Sequence, residues 1–195
     1  MVGATVRAMG RWGARARRAR VLAAVGCLAT LAACTSTGGP TAKPETGPLT
    51  LKSAAFASQG LIPINYSCAG ANISPPLTWH GVAPARTQGW AIVMRDLDVK
   101  PTPWVHWSVT GIPLETRATT SGQAPKGSVT NQASNGTAGF VGACPPSGKT
   151  HHYEFTVFAM SKPVNLGSSV KAPEALAAIK GASVGSVTLT GRFAR

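Results

Sequence analysis

The stretch His152-Tyr153-Glu154-Phe155-Thr156-Val157-Phe158-Ala159-Met160 decides the fold class. Successive side chains of an extended chain point to opposite faces. On that period Tyr153, Phe155, Val157 and Ala159 share one side, and Glu154 and Thr156 share the other. The stretch therefore reads as a strand with one face in a core. More strands lie on either side of it. Leu49–Ser53 alternates, and Trp90–Met94 is a short apolar run of the buried-strand type. Trp104–Thr110 alternates among β-formers and stops at Gly111-Ile112-Pro113, and Ser186–Phe193 is a final strand. One helix is expected over Pro173–Lys180, with Pro173 and Glu174 at its start, Lys180 at its end and Gly181 just past it. Residues 114–150 are rich in Gly, Ser, Thr, Asn and Pro and read as one long loop, the kind that carries function in a compact domain. The expected class is mostly β and antiparallel, with little helix.

The charge is unevenly placed. The 195 residues carry a formal net charge of +13. Residues 1–33 hold Arg7, Arg11, Arg15, Arg17, Arg18 and Arg20 and no acid, so removing these six leaves +7 for the rest. That remainder is spread over lysines and arginines with no run of like charge. Nucleic-acid binding, which wants a concentrated basic face, is excluded as a reading. A mild positive field favours anionic ligands. After the arginines comes an apolar stretch, Val21–Ala33, of signal-peptide length and too short to span a bilayer. Its ending, Leu31-Ala32-Ala33-Cys34, resembles the lipobox of bacterial lipoproteins. The resemblance implies a signal peptide over 1–33 and a diacylated Cys34 that becomes the new N-terminus. The chain would then be anchored in the cell membrane on its extracytoplasmic face, since two acyl chains hold where one is marginal. Ordinary cleavage with an incidental Cys34 is the alternative. Residues 34–48, small, polar and rich in Gly and Pro, read as a flexible tether, and 49–195 as one domain.

Outside the leader and Cys34, the cysteines are Cys68 and Cys144. In an oxidising compartment an even pair is expected to bridge, the alternative being two buried free thiols. No Cys-x-x-Cys is present, so no cysteine-based metal site is expected.

Two polar clusters remain. Asp96-Leu97-Asp98 precedes Trp104-Val105-His106-Trp107, and Cys144-Pro145-Pro146-Ser147-Gly148-Lys149-Thr150-His151-His152-Tyr153 follows further on. Singly, each residue has a bland structural role. Together the histidines, tyrosine, lysine and loop amides supply donors for an anion, and the aspartates can fix histidine tautomers. In that order the motifs resemble the phosphatidylethanolamine-binding protein family, most of all its bacterial Raf-kinase-inhibitor-like branch. Asn72-Ile73-Ser74-Pro75-Pro76-Leu77-Thr78-Trp79 and Thr188-Leu189-Thr190-Gly191-Arg192-Phe193 also resemble segments of that family. The resemblance implies an antiparallel β-sandwich with one or two short peripheral helices and a small anion pocket. By motif, Asp96, Asp98, His106, His151 and Tyr153 are the implied ligand-binding residues, and Pro145 matches more loosely. Lys100, where relatives often have proline-rich sequence, stands where it could bring a cation to the mouth. His152 stands where relatives favour arginine, and it cannot form the bidentate fork of an arginine.

Three functions follow from this reading. The first is a membrane-anchored binding protein for an anionic small molecule or phospholipid head group, without turnover and without cofactor. The second, implied by the resemblance alone, is an inhibitor or regulator of an extracytoplasmic protease or kinase. The third is a phosphoester hydrolase. It is the weakest, since no tight metal-ligand spacing such as His-Glu-x-x-His occurs.

Overall fold

The computed structural model describes residues 45–195. Residues 1–44, with the expected signal peptide, Cys34 and most of the expected tether, lie outside the described residues. The eight strands are β1 (Thr50–Lys52), β2 (Leu77–His80), β3 (Gly89–Asp96), β4 (Trp104–Pro113), β5 (Ala118–Thr119), β6 (Val129–Thr130), β7 (Thr150–Met160) and β8 (Ser183–Ala194), and α1 covers Ala172–Ala182. They form two antiparallel sheets, a large one in the order β6-β4-β3-β7-β8 and a small one in the order β1-β2-β5. This is the expected antiparallel sandwich with one short peripheral helix.

The alternation read in β7 holds. Tyr153, Phe155, Val157 and Ala159 join Trp90, Ile92, Met94 and Trp107 in the core between the sheets, with Leu51, Leu77 and Trp79 from the small sheet. The Trp79 and Trp90 rings meet edge to face at 6.0 Å across that core. The opposite face of the large sheet is also covered. There Ala91, Val93, Phe158 and Met160 pack against Ala172, Ile179 and Ala182 of α1.

Several elements differ from the sequence expectation. Helix α1 runs through Gly181 to Ala182, and β8 begins on the next residue. The helix end needs no left-handed glycine because Ser161 supplies the cap: its N–H and its hydroxyl both donate to Ala182 O, at 2.8 and 2.9 Å. The region expected as one long loop contains β5 and β6 and is sewn to the sheet. Buried Asn131 donates to Gly167 O at 3.0 Å and accepts from Thr110 Oγ1 at 3.3 Å. The packed chain starts before residue 49, with Glu45 accepting the Gly81 N–H at 2.8 Å and Gly47 O accepting the Val82 N–H at 2.9 Å.

Strand β4 continues past its expected stop because Gly111 absorbs a bulge. Trp90 pairs with Ile112 but Ile92 with Val109, so the β4 side has one extra residue, and Gly111 sits at φ +71. A second bulge falls at His106, skipped between the pairs Met94↔Trp107 and Arg95↔Val105.

At Gly191 a Cβ would meet Ile62 Cγ1 at 2.7 Å and Phe56 Cε2 at 2.8 Å, so the segment 56–62 closes over β8 only because this residue has no side chain. Gly191→Val is expected to lower stability by about 1–3 kcal/mol through overpacking. The measurement is the denaturant midpoint, and an unchanged midpoint would show that the segment is free to move aside.

Candidate functional site

The site forms where β3 ends and β4 and β7 begin. In the register Asp96 lies between Trp104 of β4 and Tyr153 of β7. These ends, with the segment 141–146, enclose a cavity of about 430 Å³. Asp96, His106 and His151 line it on the polar side, and Val99, Trp104, Val141, Cys144 and Pro146 complete the wall.

Asp96 is only 3 % exposed, and its two oxygens are both used. Oδ1 accepts the Asp98 N–H at 2.9 Å, and Oδ2 lies 2.7 Å from His151 Nδ1. A carboxylate oxygen at this distance fixes the proton on Nδ1 and leaves Nε2 as the remaining polar atom of the ring. His106 is arranged alike. Its Nδ1 lies 2.9 Å from Val141 O, which can only accept, so Nδ1 donates and Nε2 is left. Its ring stands edge-on to Trp104 at 4.4 Å and to Tyr153 at 5.2 Å. Burial pushes the His106 pKa below its ordinary value, against the opposing pull of the Val141 carbonyl and the Asp96 charge. His106 is therefore a neutral imidazole at pH 7.

The bulge at His106 makes this placement. Val105 packs toward α1 and Trp107 into the inter-sheet core, although both have odd numbers. The extra residue shifts the parity and lets His106 reach the cavity from a strand that also buries Trp107.

Not every expected residue lines the cavity. Asp96, His106 and His151 do. Tyr153 is fully buried beside it, and its hydroxyl accepts the Cys144 N–H at 3.1 Å. Burial first, and the Asp96 charge next, raise its pKa well above the ordinary phenol range, so it stays a hydroxyl. Asp98 lies outside the wall. It accepts the His152 N–H at 2.6 Å and faces His152 Nδ1 at 3.0 Å, and the N–H bond, more than any other contact, lowers its pKa. Pro145 is buried, and its neighbour Pro146 forms the wall instead. Lys100 folds back onto Leu97 O at 3.0 Å, and no lysine or arginine lines the cavity. The loop amides expected to meet a ligand are partly engaged, since Gly142 N–H donates to Asn72 Oδ1 at 2.7 Å and Cys144 N–H to Tyr153. Val99, Val141 and Pro146 carry no signal in the sequence for a place in the wall. Trp104 had a signal in the Trp-Val-His-Trp run, but its direction depends on the bulge.

Cys68 and Cys144 are bridged, with Cα atoms 5.4 Å apart across 76 residues of sequence. The bridge ties the cavity wall to the segment after the 3-10 turn Ile64–Tyr66. Asp96, Asp98 and His151 each offer one ligating atom, all within 4.8 Å of one another, and are the residues that could gather a cation.

Residues 52–194 match the family model described as Phosphatidylethanolamine-binding protein. The chain belongs to this family. Among its relatives is LppC of Mycobacterium tuberculosis, described as a candidate lipoprotein, which is 39 % identical over 160 residues, covering 82 % of this chain and 79 % of LppC. A UPF0098 protein of Methanothermobacter thermautotrophicus is 37 % identical over 152 residues, covering 75 % of this chain and 99 % of its own. The crystal structure of Escherichia coli YbcL, described as a member of the mammalian PEBP family, superposes with a TM-score of 0.71 at 27 % identity, covering 75 % of this chain and 98 % of YbcL. A binding protein of this family is thus the coarse description of the chain.

The His106 ring is expected to titrate below its ordinary 6.5. Asp96→Asn should lower the midpoint further, because it removes the negative charge that favours the imidazolium. A two-dimensional NMR pH titration of the ring signals reads both, and a midpoint at or above 6.5 in the parent would contradict the burial argument.

Proposed function

We propose that the chain is a non-catalytic binding protein whose cavity takes one phosphate-bearing group, either a small phosphate ester or a phospholipid head group. The observation that carries this reading is the pair His106 and His151, each lining one cavity with Nδ1 already committed to a protein acceptor. Two Nε2 atoms are left to meet one ligand. A neutral imidazole Nε2 is an acceptor, and a phosphate dianion is only an acceptor, so the contact needs one proton between them. The proton comes with a ligand monoanion, whose second pKa is about 6, or from the solvent to the ring. The apolar wall of Val99, Trp104, Val141 and Pro146 suits the organic part of an ester better than free inorganic phosphate. No serine, threonine or lysine lines the cavity, and both oxygens of its one carboxylate, Asp96, are held in hydrogen bonds, which favours binding over turnover.

The anchor is part of the same proposal. The lipobox-like Leu31-Ala32-Ala33-Cys34 and the relationship to LppC support a lipid-anchored protein on the extracytoplasmic face of the cell membrane. There the Cys68–Cys144 bridge is chemically at home.

Calorimetry with phosphorylethanolamine tests the pocket. Because binding takes up a proton, affinity should be higher at pH 5.5 than at pH 7.5, by about tenfold for one proton taken up across part of that range. His151→Ala should weaken binding by about tenfold or more, since a charge-assisted hydrogen bond is worth roughly 1.5–3 kcal/mol. Equal affinities at the two pH values, or none at either with the fold intact, would remove the reading.

A further inference from the structure

Two large aliphatic side chains stand out in solvent at the cavity end of the molecule. Leu61 is 66 % exposed and Ile64 is 58 % exposed. Pro63 between them is exposed as well, and Ile62 alone of this run turns into the core. Single exposed aliphatics need no explanation. This pair differs because basic residues lie on the neighbouring segments.

Leu61 forms a bridge with Arg192, whose Nε donates to Gln59 O at 2.9 Å. Ile64 opens the turn that leads to Cys68. Arg195 Nη1 lies 3.6 Å from Cys68 Sγ and 3.2 Å from Cys144 Sγ, and the Arg195 N–H donates to Lys149 O at 3.3 Å. The acid tied to this group by the register is Asp98, which is held by His152 opposite Arg192. Of the other acids, Glu154 is paired with Arg95, and Glu45 bonds to Gly81. Cys144 belongs to the cavity wall, so the apolar tip and its cations border the cavity itself.

We propose that this end of the sandwich docks on an anionic lipid surface. Leu61 and Ile64 enter the boundary between head groups and acyl chains, and Lys149, Arg192 and Arg195 lie against lipid phosphates. The apolar element is two side chains in a turn. A stable protein interface needs about 800 Å² on each partner, whereas a small apolar insertion with three cations suffices for reversible binding to anionic lipid. Docking would bring the cavity mouth to the head groups. The surface itself does not depend on the proposed pocket ligand; only what the surface would deliver to the cavity rests on that reading.

The geometry of the chain allows it. Glu45 bonds near His80 and Gly81, and Gly185 lies against Pro84, at the end of the large sheet away from Asp96 and His151. From Ala159 to His151 strand β7 spans about 27 Å. The ten residues between Cys34 and Glu45 can span about 33–36 Å when extended.

The test uses the chain from Thr35, which lacks Cys34 and so carries no lipid. It keeps the disulfide, both apolar clusters and every contact described above, and YbcL, with 98 % of its chain covered by the match, shows that such a domain stands alone. Sedimentation with vesicles of phosphatidylglycerol in phosphatidylcholine should show salt-sensitive binding, and vesicles of phosphatidylcholine alone should bind far less. Leu61→Ser with Ile64→Ser should weaken binding by about tenfold or more, and Lys149→Gln with Arg195→Gln by roughly 10–30-fold. Unchanged thermal midpoints confirm that both variants fold. Failure of the parent to bind anionic vesicles overturns the proposal and leaves the tip to an acidic protein partner. Equal binding by the Leu61→Ser/Ile64→Ser variant overturns it too. Calorimetry with phosphorylethanolamine on the same variants should give the parent affinity. Vesicle binding without phosphorylethanolamine binding would sustain this surface and sink the pocket reading instead.

Discussion

The cavity end of this molecule depends on one buried carboxylate. Asp96 closes the central strand β3 at 3 % exposure, where an unpaired charge would cost several kcal/mol. Its partners are therefore fixed. Oδ1 holds the turn at Asp98 and Oδ2 holds His151, so one group ends the strand, shapes the turn and orients a cavity histidine. Tyr153, directly across the register, is pressed toward the neutral form by the same charge and by burial. It then serves as an acceptor for Cys144, which carries the wall and the disulfide. Removing the carboxylate would disturb each of these together, because they share one centre.

A second constraint is the pairing of β3 with β4. A regular ladder would send His106 and Trp107 to opposite faces of the sheet. The bulge at His106 puts both on the inter-sheet side, one at the cavity and one in the core, and sends Val105 to the helix side. The Gly111 bulge restores the pleat for Ile112 further along. The two irregularities let one strand serve a cavity at one end and a close-packed core along its length.

The resulting cavity is less cationic than its sequence suggested. The positive charge of the domain lies outside it. Lys100 is turned onto its own backbone, and Arg192, Arg195 and Lys149 lie beyond the disulfide. Inside are two imidazoles, a carboxylate already paired, and an apolar wall. That division separates the polar atoms of the cavity from the surface charge that acts at longer range. His152 binds Asp98 outside the wall, as its opposite parity in β7 requires.

Much of the fold was legible from the sequence. The two-residue period of β7, the apolar run of β3 and the closing strand are local properties of consecutive side chains, and the alternation of Tyr153, Phe155, Val157 and Ala159 states the buried face without knowledge of its partner. The same holds for the order of the motifs that placed Asp96, His106 and His151 at one site. What lay beyond reach depended on residues distant in the chain. The start of β2 after Pro75-Pro76, and the short strands within 114–150, exist because neighbouring strands complete their hydrogen bonds. Helix α1 runs through Gly181 because Ser161, on another element, caps it. Asp98, Pro145 and Tyr153 were named from their motifs, yet register, bulge and burial put them behind or beside the wall and brought Trp104, Val141 and Pro146 into it. Periodicity is written residue by residue, but the direction of a side chain at a strand end is set by the pairing across the sheet. For that reason the sequence by itself determined the class of the fold and the residues of the neighbourhood, and only the tertiary structure decided which of them face the cavity.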